Sequence, residues 1–174
     1  IPIRNLLILP EQYVGDASLV KRDQTDGVSE IAKIYLEYNR RLRHANAMDF
    51  AHLLLNTYLL LKNNDGIRKK YQDRFTCILV DEYQETSLAQ HRIMSQVTNS
   101  NTLICVVGDD AQSIYGFRGA NIDNILYFTN QYPNAKMIKL ERNYRSTQCI
   151  VNAANSIIKH NSRQIPKRVF SENE

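Results

Sequence analysis

Cys77-Ile78-Leu79-Val80-Asp81-Glu82 is an apolar run of strand length closed by two acids. With Thr76 it opens a series of three such runs, Thr76 to Val80, Leu103 to Val107 and Met137 to Leu140, each about the length of a buried strand. Helical patterns fill the gaps, from about Ser87 to Val97 and from about Ile122 to Gln131. The order βαβαβ predicts parallel strands joined by crossover helices, an α/β fold. In an open parallel sheet, ligands bind outside the carboxyl ends of the strands. There the three runs lead into Asp81-Glu82, Gly108-Asp109-Asp110-Ala111-Gln112 and Glu141-Arg142-Asn143-Tyr144-Arg145. Three polar loops are thus expected along one sheet edge, which marks the candidate site.

Upstream the pattern is helical. Val28, Ile31, Ile34, Tyr35, Tyr38 and Leu42 recur with the spacing of one helix face. Asp49 is placed to cap a second helix whose buried stripe is expected to be Phe50, Leu53, Leu54, Leu60 and Leu61, ending near Asn63, Asn64 and Gly66. Pro10 to Gly27 is polar and loop-like. A last helix with Ile150, Val151, Ala154, Ile157 and Ile158 on one face follows Arg145, with Ser146 or Thr147 as its cap.

The 174 residues are 43% hydrophobic and 23% charged, the composition of an ordinary globular chain, which excludes disorder, collagen and a disulfide scaffold. No apolar run approaches the roughly 18 residues of a membrane span. The net charge of +4 is uneven: from Lys136 on, eight basic side chains face three acidic ones, so a tail of +5 follows a remainder of −1. Such a segment suits a polyanion, and it equally suits a solvated helix face. The three cysteines lack C-x-x-C spacing, and Cys77 and Cys105 are expected to be buried thiols of a reducing, cytoplasmic protein. His44, His52, His91 and His160 show no metal or nucleophile spacing. None of the six glycines precedes a lysine, so the chain holds no G-x-x-x-x-G-K-[ST] phosphate loop. Beginning at Ile1 without a signal peptide, it reads as an interior piece of a longer protein.

Two acids at a strand tip are the arrangement of a Walker B site. The first can hold Mg²⁺, and the second can orient or deprotonate a water attacking a γ-phosphate. The same pair also suits a helix N-terminal turn, where carboxylates meet the dipole; on this string alone the two readings stand level. Asp109 and Asp110 suit turn caps and are lesser site candidates. Tyr115 and Phe117, taken alone, read as core aromatics, and Arg142 as half of a surface ion pair. Ser113, Ser146 and Thr147 have no histidine partner in sequence context.

At ILVDEYQET (Ile78 to Thr86), GDDAQSIYGFRGA (Gly108 to Ala120) and LERNYRST (Leu140 to Thr147) the chain closely resembles superfamily one DNA helicases of the UvrD/Rep/PcrA group. Order and spacing fit that family, and similarity of a looser kind extends back through AMDFAHLLL (Ala47 to Leu55) and forward to about Asn161, covering most of the chain, weakest over the first 25 residues. The resemblance implies that Asp81 is the magnesium carboxylate, Glu82 the catalytic base, Gln112 the γ-phosphate sensor and Arg145 an arginine finger. It implies that Tyr144 stacks on adenine, that Tyr115 and Phe117 lie against single-stranded DNA, and that Arg118 links their loop to the strand or to neighbouring acids. Glu85 stands where the family commonly has aspartate, and Phe117 where many members have tryptophan.

The fold so implied is part of a RecA-like P-loop NTPase sheet with flanking helices. Residues 1–73 would be a helical insertion of the first motor domain, 74–140 the distal half of its RecA-like sheet, and 141–174 the start of a second RecA-like domain. The parent enzyme would hydrolyse ATP with Mg²⁺, move 3′ to 5′ on single-stranded DNA and separate duplex DNA, in repair or replication. The phosphate loop is expected upstream of Ile1, so the piece alone is expected to be inactive. Two rivals are the helicase subunit of a recombination helicase-nuclease and a non-catalytic DNA-binding module retaining the fold. Joint presence of Asp81, Glu82, Gln112 and Arg145 argues against the second rival, because a binding module needs none of them.

Overall fold

A computed structural model describes residues 7–28 and 30–173; the expectations for the chain's start at Ile1 lie outside the described residues. The chain packs as two units, one running to residue 78 and including 87–104, the other holding 79–86 and 105 onward.

The first unit is mostly helical. In place of the expected polar loop, two short helices form, α1 (Pro10–Gly15) and α2 (Ala17–Thr25). Proline suits the first turn of α1, and Asp16 caps α2 by accepting from the backbone N–H groups of Ser18 and Leu19. Their buried face is aromatic and hydrogen-bonded rather than aliphatic, which hides it from a periodicity count. The Tyr13 hydroxyl donates to Asp23 Oδ2 at 2.7 Å, both residues being buried. Helix α3 (Ile31–His44) sets Tyr35 edge-on to Tyr13 at 6.2 Å, and with Ala32 these form the local core. Val28 lies before this helix and Ile34 faces solvent, so the buried stripe is narrower than the spacing predicts. Glu37 is held down to about 2 by hydrogen bonds from Arg40 and Arg41 on the exposed face.

Helix α4 (Phe50–Asn63) starts as expected, with Asp49 accepting from the His52 N–H at 2.9 Å. Its buried stripe is rotated, however: His52, Leu55 and Leu61 are buried while Phe50, Leu53 and Leu60 are exposed. Leucines stand on several sides of this helix, so its contacts with α5 (Asp65–Arg74) and α6 (Leu88–Val97), not periodicity, select the inner face. Helix α5 has no apolar periodicity to announce it; Asn64 caps it at the Ile67 N–H, and Gln72 Nε2 donates to the carbonyls of Gln96 and Thr98. Helix α6 begins where expected, under a reciprocal cap between Ser87 and Gln90.

Burial holds the buried His91 imidazole, on α6, below its ordinary value, with Arg92 adding to the effect. The folded state therefore disfavours the proton that the unfolded chain accepts near pH 6.5. Stability is fully present above that pH and falls as pH drops below it. The urea midpoint is expected to be lower at pH 5.5 than at pH 7.5, and His91→Gln is expected to reduce that difference; an unchanged difference would remove His91 as its source.

Strands β1 (Cys77–Val80) and β2 (Leu103–Val106) pair as neighbours. The Leu103 N–H donates to Thr76 O and the Val107 N–H to Val80 O, an equal advance on both strands, as parallel pairing requires. The expected third strand does not form. A strand needs a neighbouring backbone to satisfy its N–H and C=O groups, and the β1/β2 sheet has two strands among the described residues; Ile138 and Leu140 stand exposed. Nor are the strands buried. Leu79 and Leu103 face solvent, and Cys77 and Cys105, expected in the core, are exposed because none of the described residues covers that face of the two-stranded sheet. Strand β3 (Arg142–Asn143) instead pairs in parallel with β4 (Phe170–Ser171).

The helix expected over Ile122 to Gln131 breaks into α7 (Asp123–Leu126) and α8 (Phe128–Gln131), because Tyr127 between them leaves helical geometry at ψ 19°. Helix α9 (Gln148–Ile158) follows Thr147, whose hydroxyl makes no cap; the Gln148 N–H donates to Asn173 O instead. On α9 Val151 is buried, whereas Ile150 and Ile157 are exposed. No helix among the described residues is long and apolar enough to cross a membrane.

Candidate functional site

The candidate site residues all belong to the second unit. The chain leaves β1 at Asp81, whose Oδ1 accepts from the Glu82 N–H at 2.9 Å. Glu82 then turns into the left-handed region at φ 50° and ψ 42°, a conformation that costs a side-chain-bearing residue about 1–2 kcal/mol. Both carboxylates remain exposed. Contacts made by Tyr83 offset the cost. This residue is buried, donates its N–H to Val107 O at 2.9 Å, and sets its ring edge-on to Phe128 at 5.6 Å.

Gln84 is wholly buried, and both ends of its amide are used. Its Nε2 donates to Glu82 Oε2 at 2.7 Å, and its Oε1 accepts the Asp109 N–H at 3.0 Å. One amide therefore joins the tip of β1 to the loop after β2. Gly108 makes that approach possible: a Cβ there would lie 2.5 Å from Gln84 Oε1.

Beyond Gly108, Asp109 caps the 3-10 turn Asp110–Gln112 at the Ala111 N–H, as its sequence position suggests. It does more, because its Oδ2 also accepts from Gln112 Nε2 at 2.8 Å. Burial pushes the Asp109 carboxyl up, but hydrogen bonds from Gln112 and Lys167 outweigh it and hold it below the usual carboxylate range. Asp110 is 3% exposed and pairs with Lys167.

The next turn, Gly116–Arg118, ends at Gly119 in the left-handed region at φ 91°. Here the sequence leaves core and surface open for the aromatics, and the structure divides them. Phe117 is 81% exposed and Tyr115 half-buried, their rings 5.9 Å apart. The Arg118 guanidinium lies over both, 5.4 Å from the Tyr115 ring and 5.7 Å from that of Phe117. The exposed Phe117 ring and the guanidinium over it offer an aromatic face and a cation to a flat partner.

Tyr144 and Arg145 occupy a separate loop after β3. Asn143 Oδ1 accepts from the N–H groups of Arg145 and Ser146, shaping the turn. Arg142 makes the expected surface ion pair, with Glu172, and its guanidinium covers the Tyr144 ring at 4.8 Å. The Arg145 side chain is exposed and takes part in no ion pair among the described residues. No hydrogen bond among them joins Tyr144 or Arg145 directly to Asp81, Glu82 or Gln112.

Sequence reasoning missed Gln84 and Lys167. Gln84 carries a visible signal, a polar residue beside an acid pair, but its burial does not show. Lys167 counts only as part of a basic tail. Among the described residues no cluster of three His, Cys, Asp or Glu could hold a metal by itself. Two exposed carboxylates instead suit Mg²⁺, which keeps much of its water and takes one or two protein carboxylates together with phosphates.

Residues 4–133 match the UvrD/REP helicase N-terminal domain family. The chain is 47% identical over 175 aligned residues to an ATP-dependent DNA helicase PcrA of Staphylococcus epidermidis, an alignment that covers 94% of this chain and 24% of that protein. It is 43% identical to the one of Leuconostoc citreum, covering 98% and 22%, and 41% identical to that of Staphylococcus aureus, covering 94% and 24%. The chain thus spans about a quarter of the length of the curated relatives it matches.

Proposed function

This chain belongs to the UvrD/REP helicase family, and from that premise we propose that it carries part of the motor of an ATP-dependent DNA helicase moving 3′ to 5′ along single-stranded DNA and separating duplex. Its setting is DNA repair or replication in the cytoplasm. The observation that supports this best is the Gln84 amide, which ties Glu82 to the loop bearing Gln112. Residues 1–73 are assigned to a helical insertion, 74–140 to the distal half of a RecA-like domain and 141–174 to the start of a second.

In this scheme Asp81 would hold Mg²⁺, which would supply positive charge against the phosphate oxygens. Glu82 accepts the proton of the attacking water; Gln84 fixes one carboxylate oxygen and leaves the group exposed to receive it. The Gln112 amide can accept from water through its oxygen and donate to a γ-phosphate oxygen through the second Nε2 hydrogen, while the first stays on Asp109 Oδ2. The Arg145 guanidinium meets charge on the transferring phosphoryl group. Tyr144, backed by Arg142, stacks on adenine with its free face. Tyr115, Phe117 and Arg118 grip single-stranded DNA, since an aromatic face accepts any base.

The test is ATP hydrolysis by the full-length protein against single-stranded DNA concentration. Hydrolysis is expected to rise with DNA, and Phe117→Ala to weaken DNA binding by about 1–3 kcal/mol, the usual worth of a stacked base. Hydrolysis indifferent to DNA removes the motor function, and unchanged DNA binding by the variant removes Phe117 from the grip.

A further inference from the structure

We propose that Lys167 is a positioning residue for the Gln112 amide and that its segment ties the loop after β2 to the strand pair presenting Tyr144 and Arg145. The inference rests on the assignment of Gln112 to the γ-phosphate. Lys167 Nζ lies 2.9 Å from Asp109 Oδ1 and also pairs with Asp110 Oδ1. Asp109 uses its other oxygen, Oδ2, to hold Gln112 Nε2 at 2.8 Å. Asp110 Oδ2 accepts the Ile165 N–H at 2.8 Å. One ammonium thus bridges two adjacent carboxylates, one of them removed from water. Take it away and the two like charges repel at close range, with the buried one left uncompensated. Asp109 then no longer fixes Gln112 in one orientation.

Burial alone would push the Lys167 ammonium down, yet its bonds to Asp110 and Asp109 outweigh this and hold it above its ordinary value. The pairing therefore persists through the physiological range. The same segment continues three residues on into β4, which runs in register with β3, Arg142 opposite Phe170 and Asn143 opposite Ser171. Ser171 Oγ donates to Ser146 O at 2.6 Å, and Asn173 Nδ2 donates to Tyr144 O at 3.2 Å. A change in the Gln112 loop reaches the Tyr144 and Arg145 loop through these contacts, although no hydrogen bond among the described residues joins the two directly.

The experiment is steady-state, DNA-stimulated ATP hydrolysis by the full-length protein carrying Lys167→Met, Gln112→Ala or both. Lys167→Met is expected to lower kcat about tenfold, the worth of one charge-assisted hydrogen bond, with KM for ATP within about threefold. Lys167→Arg is expected to recover most of that loss. In the Gln112→Ala background Lys167→Met should cost less than about twofold more, because it acts through the residue already removed. Unchanged kcat in Lys167→Met, or the same tenfold loss in both backgrounds, overturns the proposal. If Lys167→Met lowers the thermal midpoint too far to assay, Asp110→Asn added to it removes the unpaired buried charge, and the same non-additivity is expected. Wild-type turnover in Gln112→Ala alone overturns both this proposal and the γ-phosphate assignment. A strong loss in Gln112→Ala with an additive Lys167→Met sinks only the positioning role.

Discussion

Glu82→Gln in the full-length protein is expected to leave nucleotide binding within about twofold of wild type while lowering DNA-stimulated ATP turnover by about 10²- to 10⁴-fold, the range of a general base. The substitution is nearly isosteric, and the new amide oxygen can still accept from Gln84 Nε2, now at 2.7 Å from Glu82 Oε2. The left-handed backbone and the tie to Asp109 are therefore retained, and only proton acceptance is lost. Equilibrium titration with a fluorescent nucleotide and a phosphate-release assay separate the two quantities. Turnover near wild type would refute Glu82 as the base. Nucleotide affinity lost in parallel would mean that the residue binds rather than reacts.

Gly108→Ala is expected to destabilise the second unit by about 2–6 kcal/mol. An added Cβ would lie 2.5 Å from Gln84 Oε1, 2.9 Å from Ile125 Cδ1 and 3.2 Å from the Tyr83 nitrogen. None of the three can withdraw cheaply. The Gln84 amide is wholly buried and bonded at both ends, and the Tyr83 N–H is engaged with Val107 O. Overpacking of this kind costs about 1–3 kcal/mol, and breaking the buried bond to the Asp109 N–H adds about 1–3 kcal/mol. Urea unfolding gives the stability, and turnover should fall with it because the loop carrying Gln112 is displaced. A change below about 0.5 kcal/mol, the scale of an inconsequential surface substitution, would mean that the loop yields and that the close approach is not required.

Much of the site is legible because its signals are local. An apolar run ending in acids places Asp81 and Glu82 at a strand tip wherever that strand packs, and the caps Asp49 and Ser87 act within a few residues of themselves. Gln112, Tyr115 and Phe117 fall together within one motif of about a dozen residues, and their proposed roles follow from its resemblance. What cannot be read is reach across the chain. Gln84 meets Asp109 at 25 residues' separation and Lys167 meets Asp110 at 57. No periodicity encodes such pairs, and a lysine in a basic tail carries no mark of the carboxylate it will find.

The same division runs through the fold. Where helices and strands begin depends on the chain's own chemistry: side-chain oxygens beside unpaired N–H groups, β-branched runs, the geometry that glycine alone tolerates at Gly108. Whether Met137 to Leu140 becomes a strand, which side of α4 is buried and whether Cys77 and Cys105 are covered are settled only in three dimensions. Burial and sheet pairing are properties of two surfaces, and a sequence describes one of them at a time.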